Sequence, residues 1–472
     1  MSIFLKIGSV FSLLCLSLLA ETNRYNVLFI AVDDLRPELG CYGVEHAQSP
    51  NLDQFAKESV LFDRHYVQVP TCGASRYALL TGRSPLYSKA LGNGAATSKG
   101  TKLISDTTQA AQSLPEVFKR SGYKTACIGK ISHQPDGRVF AYNGKGDGRP
   151  ELPHAWDELP TPFGAWQRGW GAFFAYADGR HREDGQNNKD LMEFFVEKDT
   201  DLPDGLMADA AIAQLKKWKT EPFFIGLGFY KPHLPFVAPK QDWDAFENVT
   251  IPNSQDTSKP EVGYHRSGEF YKYNTPFPKD KPLKAEYLTQ SRRAYLACVR
   301  YVDRQIGKVL NSLKEQGLDK NTIVVVWGDH GWFLGDRQMW GKHSVLEEAN
   351  RSVMMIKVPG VKAHKTSALI ETIDIFPTLL DYCNPKDKSL KFSLDGVSQK
   401  EVISGTKPFV RKYAVSYWGK SQSIRSDSHR LILNDKNDKA FLYEISKDGT
   451  VSKNMALDKP ELVAELSKAI QK

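Results

Sequence analysis

The run "NVLFIAV" at residues 26–32 constrains this chain more than any other stretch. No charge interrupts it, so a strand made from it has no wet face and needs apolar cover on both sides. The buried-strand pattern returns in "TACIG" (125–129), "PFFIGLGF" (222–229), "NTIVVVWGD" (321–329) and, with one Lys, in "SVMMIKVPG" (352–360). Helical spacing lies between these runs. Apolar residues recur at three- and four-residue steps over 49–62, 113–122 and 295–317, and Gly317 ends the last pattern. Strand and helix in alternation predict an α/β fold, with a large, mostly parallel central sheet flanked by helices. In such sheets ligand sites form beyond the carboxyl ends of the strands.

Two segments break the rhythm. Residues 134–190 are rich in Gly, Trp, His and Asp, and residues 237–290 in Pro, Lys and Tyr. Connections this long in a compact domain are usually functional or mobile. After about residue 405 the texture changes to short alternating runs ("SIRSDSHRLILND", "AFLYEI") and a final helical pattern ("KPELVAELSKAI"). This tail reads as a small antiparallel sheet with a closing helix. At the other end, one Lys precedes an apolar stretch of about fourteen residues that closes on Ala20. That is the pattern of a secretory signal, too short for a resident membrane span. The expected organisation is a signal peptide at 1–20, a main domain at 21–405 and a C-terminal subdomain at 406–472, in a protein exported to the periplasm or beyond. Six cysteines occur, at 15, 41, 72, 127, 298 and 383. Their spacing suggests neither a disulfide framework nor a zinc site. Cys127 and Cys298 fall on apolar patterns and read as core. The net charge of +8 is spread along the chain. It fits an anionic partner, and no nucleic-acid-binding motif accompanies it.

The chemistry gathers after the strands. "AVDDLRP" sets Asp33 and Asp34 behind the first run, and "VVVWGDHGWFLGD" sets Asp329 and His330 behind another. Adjacent carboxylates repel each other unless a cation holds them. Two strands of one sheet that deliver Asp-Asp and Asp-His to the same edge make an oxygen-rich cluster suited to a hard divalent ion. "GKISH" contributes Lys130 and His133, "YKPHLPF" Lys231 and His233, and "WGKHSVLEE" Lys342 and His343. Each pair alone reads as solvent-facing. Three pairs beside a metal would bind a tetrahedral anion and protonate its leaving group. Cys72 opens a short helical stretch, and the positive end of a helix also favours an anion.

That stretch, "CGASRYALLTGR", resembles the signature of formylglycine-dependent sulfatases of the alkaline phosphatase superfamily, C-x-(P/A)-S-R-x-x-x-L-T-G. "NVLFIAVDDLRPELGCYG", "SPNLDQFAKESVLF", "GKISH", "YKPHLPF", "GDHGWFLGD" and "DIFPTLLDY" are similar to sulfatase segments in the same order, over about residues 25 to 382. Within the family, the Asp-His pair and "KPHLPF" are most like the iduronate-2-sulfatases and their bacterial polysaccharide-sulfatase relatives. The resemblance implies a catalytic domain at 21–405 in which Cys72 is oxidised to formylglycine. Asp33, Asp34, the converted Cys72, Asp329 and His330 would hold Ca2+, although the donor set alone would accept Mg2+. Arg76 would orient the formylglycine hydrate, and Lys130, His133, His233 and Lys342 would surround the sulfate. One hydrate hydroxyl attacks sulfur, His233 or Lys342 protonates the departing alcohol, and His133 helps the remaining hemiacetal collapse and expel sulfate. Ala74, where Pro is commoner, is associated with the radical-type maturating enzyme of bacteria, so that enzyme is an expected partner.

The implied substrate is a sulfated polysaccharide or its oligosaccharides, either an algal glycan such as ulvan or carrageenan or a glycosaminoglycan. Trp332, beside the metal His, reads as lining the sugar subsite, with His343 a further candidate and Lys231 a rim charge. Trp156, Trp166 and Trp170 are open between core and ligand contact. His265, Arg266, Arg292 and Arg293 are open between a second anion site and a solvated basic face. The rival functions are a phosphonate or phosphodiester hydrolase of the same superfamily, and a glycan-binding homologue without catalysis. A thiol enzyme that uses Cys72 directly gives no reason for the acidic cluster.

Overall fold

The computed structural model describes residues 24–104, 109–253, 267–434, 439–445 and 453–470. The signal-like segment, His265 and Arg266 lie outside the described residues. In chain order the main elements are β1 (Asn26–Val32), α1 (Pro50–Ala56), β2 (Val60–Tyr66), α2 (Cys72–Thr81), α3 (Leu114–Arg120), β3 (Lys124–Gly129), α4 (Pro203–Lys217) and β4 (Phe223–Phe229). They continue with α5 (Ala285–Glu315), β5 (Thr322–Gly328), β6 (Arg351–Ser352), β7 (Met354–Lys357), β8 (His364–Glu371) and α6 (Ile375–Cys383). The last are β9 (Ala414–Trp418), β10 (Ser421–Arg425), β11 (His429–Asn434), β12 (Lys439–Glu444) and α7 (Pro460–Ile470).

Eight strands form the central sheet in the order β6-β2-β7-β5-β1-β4-β3, with β8 added on β2. It is mostly parallel, as expected, and β7 runs antiparallel to both of its neighbours. The charge-free runs are explained by cover on both faces. Leu28, Ile30 and Val32 of β1 point into one apolar cluster with α4 and α5. Val27, Phe29 and Ala31 point into another with α3 and α6. One stretch departs from its expected type. Helical spacing over 49–62 holds only to Ala56, and Val60–Tyr66 pairs as β2 with β7 and β8. Tertiary pairing overrides a spacing that is ambiguous over so few residues.

Register then places the chemistry. Val32 stands beside Phe229 and Gly328, and Gly129 beside Gly228, so four strands end level at one edge. The residues that follow are Asp33, Lys130, Tyr230 and Asp329. Gly228 is required here, because a Cβ would come within 2.1 Å of the Lys130 carbonyl oxygen.

The tail forms a four-stranded antiparallel meander, β9-β10-β11-β12, with α7 across it. Its other face packs Ile432, Phe441 and Tyr443 against Phe333, Val345 and Leu346 of the loop after β5. Strand β9 also touches the chain just before α2, where Tyr417 N donates to Gln68 O at 2.7 Å and Ser416 Oγ to Val67 O at 2.6 Å. The cysteines among the described residues are unbridged. No helix among them is long and apolar enough to cross a membrane.

Candidate active site

Helix α2 is buried along its whole length, and it opens at Cys72 directly against the level strand ends. The Cys72 thiol lies 3.4 Å from Asp33 Oδ1 and 3.3 Å from His330 Nε2, and it accepts a hydrogen bond from Lys342 Nζ at 3.2 Å. Burial, and next the Asp33 carboxylate, push it up to about 12. One turn on, Ser75 Oγ donates to Asp329 O at 2.5 Å and Arg76 Nε to Asp329 Oδ2 at 3.0 Å. Arg76 also reaches Asp33 Oδ2 at 3.5 Å and the Lys130 carbonyl. The signature helix is thus tied to three strand ends by two of its own side chains.

Asp33, Asp34, Cys72 and His330 each offer a donor atom within 4.8 Å of the others. His330 Nδ1 faces Gly331 O at 3.0 Å, so that nitrogen carries the proton and the Nε2 lone pair points at the carboxylates. Asp34 Oδ2 is buried and accepts no hydrogen bond, and Asp33 Oδ2 has the Lys130 ion pair but no well-directed hydrogen bond. Lone pairs aimed at one another in a buried space call for a cation, so these residues fit a divalent metal. Asp329 stands at the border of the group. Its Oδ1 is 3.6 Å from His330 Nε2, but both oxygens already accept hydrogen bonds, from Asp34 N and from Arg76. Asp34 has φ +61, an uncommon conformation held from both sides by Asp34 N donating to Asp329 Oδ1 at 2.9 Å and Tyr295 OH donating to Asp34 O at 2.8 Å.

The two neighbouring carboxyls titrate in opposite directions. Burial alone would raise Asp33, but Lys130, Arg76 and His233 hold it well below the usual range. Burial prevails at Asp34 and raises it, against Lys342 and His330. Lys342 Nζ sits 2.8 Å from Asp34 Oδ1, and Lys130 Nζ lies 4.1 Å from the centre of the Phe173 ring. His233 donates from Nδ1 to Leu234 O at 2.7 Å, leaving Nε2 exposed to the site, 3.8 Å from Asp34 Oδ2. His133 packs edge-on to Trp170 at 5.5 Å, and its buried Nδ1 has no hydrogen-bond partner. Burial lowers both imidazoles, and the Lys342 and Lys130 ammonium groups add to the effect.

Several sequence expectations change on contact with the fold. Lys231 is not a rim charge. It is 2% exposed, and its ammonium is spent on Pro235 O at 2.7 Å and His233 O at 3.2 Å, so it clips the loop that carries His233. Buried Asp204 does the same from below, accepting from Tyr230 N at 2.7 Å and Lys231 N at 3.2 Å. His343 contacts Trp418 and Thr71 rather than the cluster around Cys72. It stacks flat on Trp418 at 4.4 Å and reaches Thr71 Oγ1 at 3.1 Å, bracing the loop that presents Lys342. Trp332 is buried beneath Lys342, whose ammonium lies 5.1 Å from its ring centre. Trp156 and Trp166 belong to the core, and Trp170 alone of the loop tryptophans adjoins the site. Arg292 is buried against Glu38 at 3.0 Å, and Arg293 donates to Trp243 O, so neither forms an anion site or a solvated face. Sequence reading missed Phe173, Asp204 and Glu269, which reach the site by tertiary packing and carry no strand-end or motif signal.

An α/β fold with a buried, thiol-bearing helix, an acidic cluster and a cationic cradle at one sheet edge is the arrangement of an ester hydrolase for tetrahedral anions. The sulfatase family model matches residues 25–384, and the chain belongs to that family. It is a sulfuric ester hydrolase. A sulfatase of Formosa agariphila is 32% identical over 458 residues, spanning 91% of this chain and 82% of that one. Human iduronate 2-sulfatase is 29% identical over 421 residues, spanning 84% and 71%. Among solved structures, a phosphonate monoester hydrolase from Silicibacter pomeroyi superposes with a TM-score of 0.72 at 24% identity, covering 94% of this chain and 93% of that one, a likeness of fold.

Proposed function

We propose that the protein hydrolyses sulfate esters of a sulfated glycan, with Cys72 converted to formylglycine and a divalent cation, taken as calcium, held by Asp33, Asp34, Asp329, His330 and the converted residue. The observation that carries this reading is the place of Cys72, whose sulfur lies within 3.4 Å of an acidic ligand, an imidazole nitrogen and an ammonium group at once. The cation when bound would offset the charge of the sulfate oxygens, and the formylglycine hydrate would supply the attacking hydroxyl. The chain's own groups do the rest. Arg76, fixed on Asp329, orients the residue at position 72. Lys130 and His133 face the sulfate from the β3 side. Lys342 and His233 Nε2 stand together on the side where the departing sugar oxygen needs a proton. Relatives that act on glycan sulfates, among them an ulvan-active sulfatase of Formosa agariphila, support a polysaccharide or oligosaccharide substrate. The signal-like residues 1–20 support export, the domain limits 21–405 and 406–472 follow the change of sequence texture, and Ala74 supports a radical-type maturase.

The test is the mass of the tryptic peptide "HYVQVPTCGASR" (65–76) from protein co-expressed with a radical-type maturase. Loss of the thiol sulfur with gain of an aldehyde oxygen is expected, together with turnover of sulfate esters well above phosphate and phosphonate esters. A plain thiol, alongside a control sulfatase that is converted, would overturn the reading.

A further inference from the structure

One carboxylate in the site has no assigned task. Glu269 Oε1 lies 3.6 Å from His233 Nε2, and its Oε2 lies 3.9 Å from Lys342 Nζ. Neither distance is a hydrogen bond, and among the described residues the Glu269 oxygens accept none. The side chain is 23% exposed, at the mouth of an otherwise closed centre. Its third neighbour is a fixed cation. Arg182 Nη1 stands 4.0 Å from Oε1, and Arg182 is itself fixed by Tyr273 OH at 3.0 Å, Glu183 Oε1 at 2.8 Å and the face of Phe174 at 3.3 Å. A carboxylate with open acceptor sites on a fixed support is built to take a donor from outside the chain.

The side of the site it occupies follows from the proposed function, on which this inference rests. His233 and Lys342 face the ester oxygen that leaves with the sugar, and of the two carboxylates beside both, Asp34 is buried and Glu269 is the one open to solvent. The atoms of the substrate within its reach are those one or two bonds from that oxygen. We infer that Glu269 is a specificity-determining residue that accepts a hydrogen bond from a hydroxyl on the carbon next to the sulfated one. The same negative charge repels a second sulfate or a carboxylate at that position. The protein therefore selects an ester flanked by a free hydroxyl over one flanked by another anion.

Two aryl esters isolate the contact, because 2-hydroxyphenyl sulfate carries a protonated hydroxyl beside its sulfate and phenyl sulfate carries hydrogen there. The readout is the ratio of their kcat/KM values, compared between wild type and variant so that the intrinsic difference in leaving group cancels. Glu269→Gln should lower that ratio about tenfold or more, since a hydrogen bond to a charged acceptor is replaced by one to a neutral amide. Glu269→Asp, which keeps the charge on a shorter arm, should lower it less. Thermal melting of each variant checks the fold, and Glu269→Ala serves if the amide disturbs it. A ratio unchanged within about twofold overturns the inference, whether the absolute rates fall together or stay the same. That outcome leaves the sulfatase reading standing. A wild type with its aldehyde confirmed by mass that turns over neither these esters nor sulfated oligosaccharides would overturn both.

Discussion

Two buried charge clusters sit on opposite sides of strand β2, and they are finished differently. In one, Arg411 joins Glu371 and Asp374. Asp374 accepts from Val397 N at 2.8 Å, Glu371 N at 2.9 Å, Gln399 Nε2 at 3.0 Å and Arg411 Nε at 2.9 Å. Glu371 accepts from Val415 N at 2.5 Å and pairs with Arg411 Nη1 at 2.6 Å. No carboxylate oxygen there is left without a partner. In the other, around Cys72, Asp34 Oδ2, Arg76 Nη2 and His133 Nδ1 are all buried and without hydrogen bonds. The first cluster fastens strand β8 to the C-terminal sheet, and its carboxylates draw every partner from the chain, with only the neutral amide atoms Gln399 Oε1 and Gln68 Nε2 beside them left without hydrogen bonds. The second has the same ingredients, and the proposed cation and substrate would supply the partners that its buried groups do not find in the chain. Unsatisfied polar groups cost stability, so they persist where binding supplies their partners.

Either cluster can be tested by removing its central side chain. Replacing Cys72 with Ala should lower sulfate ester turnover at least about 10^4-fold while leaving the melting temperature near that of wild type, because the open cluster serves chemistry rather than folding. Retained turnover would dissolve the contrast. In the closed cluster, Arg411→Met should leave the kcat within about threefold and cost about 3–5 kcal/mol in urea unfolding, the penalty of stranding two buried carboxylates. A small cost would mean the cluster is not the fastening it looks like. Chelation sharpens the same contrast. Excess EDTA should lower turnover about 100-fold, reversibly with calcium, and should remove about 2.7 kcal/mol of stability relative to protein with metal at one hundred times its dissociation constant. The Arg411 variant should show the same metal response as wild type. The smallest effect, taken over the single unit from pH 6 to 5, comes from His65, which links the closed cluster to β6 through Thr372 Oγ1 at 3.0 Å and Ser352 Oγ at 2.9 Å. Burial pushes this imidazole down to about 3. The unfolded chain takes up its proton near pH 6.5 and the folded chain does not, so the stability is intact above that pH. It is lost at about 1.4 kcal/mol per unit as pH falls toward 3. His65→Gln should flatten the urea-unfolding slope between pH 6 and 5 by one proton.

The open cluster was far more legible in the sequence than the closed one. Strand ends deliver side chains to a shared edge, so charge-free runs followed by Asp-Asp, Asp-His and Lys-x-x-His announce a site by their order alone. What periodicity cannot give is direction within a loop. Lys231 and His233 are two residues apart and look equivalent on paper, yet one donates to the carbonyls of its own loop and the other turns its Nε2 toward Asp34. His343 follows Lys342 immediately and turns toward Trp418 instead. Glu269 lies in a Pro- and Lys-rich stretch with no period at all, and it meets His233 only because the chain folds back over the mouth. Strand β2 was hidden for a related reason, since the apolar spacing of α1 runs on into it and only pairing with β7 and β8 ends the helix.

The burial of α2 has a consequence in time as well as in space. Cys72 is 3% exposed at the head of a helix that has no exposed residue, so the folded protein gives a modifying enzyme neither the thiol nor a flanking segment to grip. If Cys72 is oxidised as proposed, that event belongs to the nascent chain, and folding seals its outcome. Protein made without the maturase would then be a finished dead end, with a native shape that later exposure to the enzyme could not rescue.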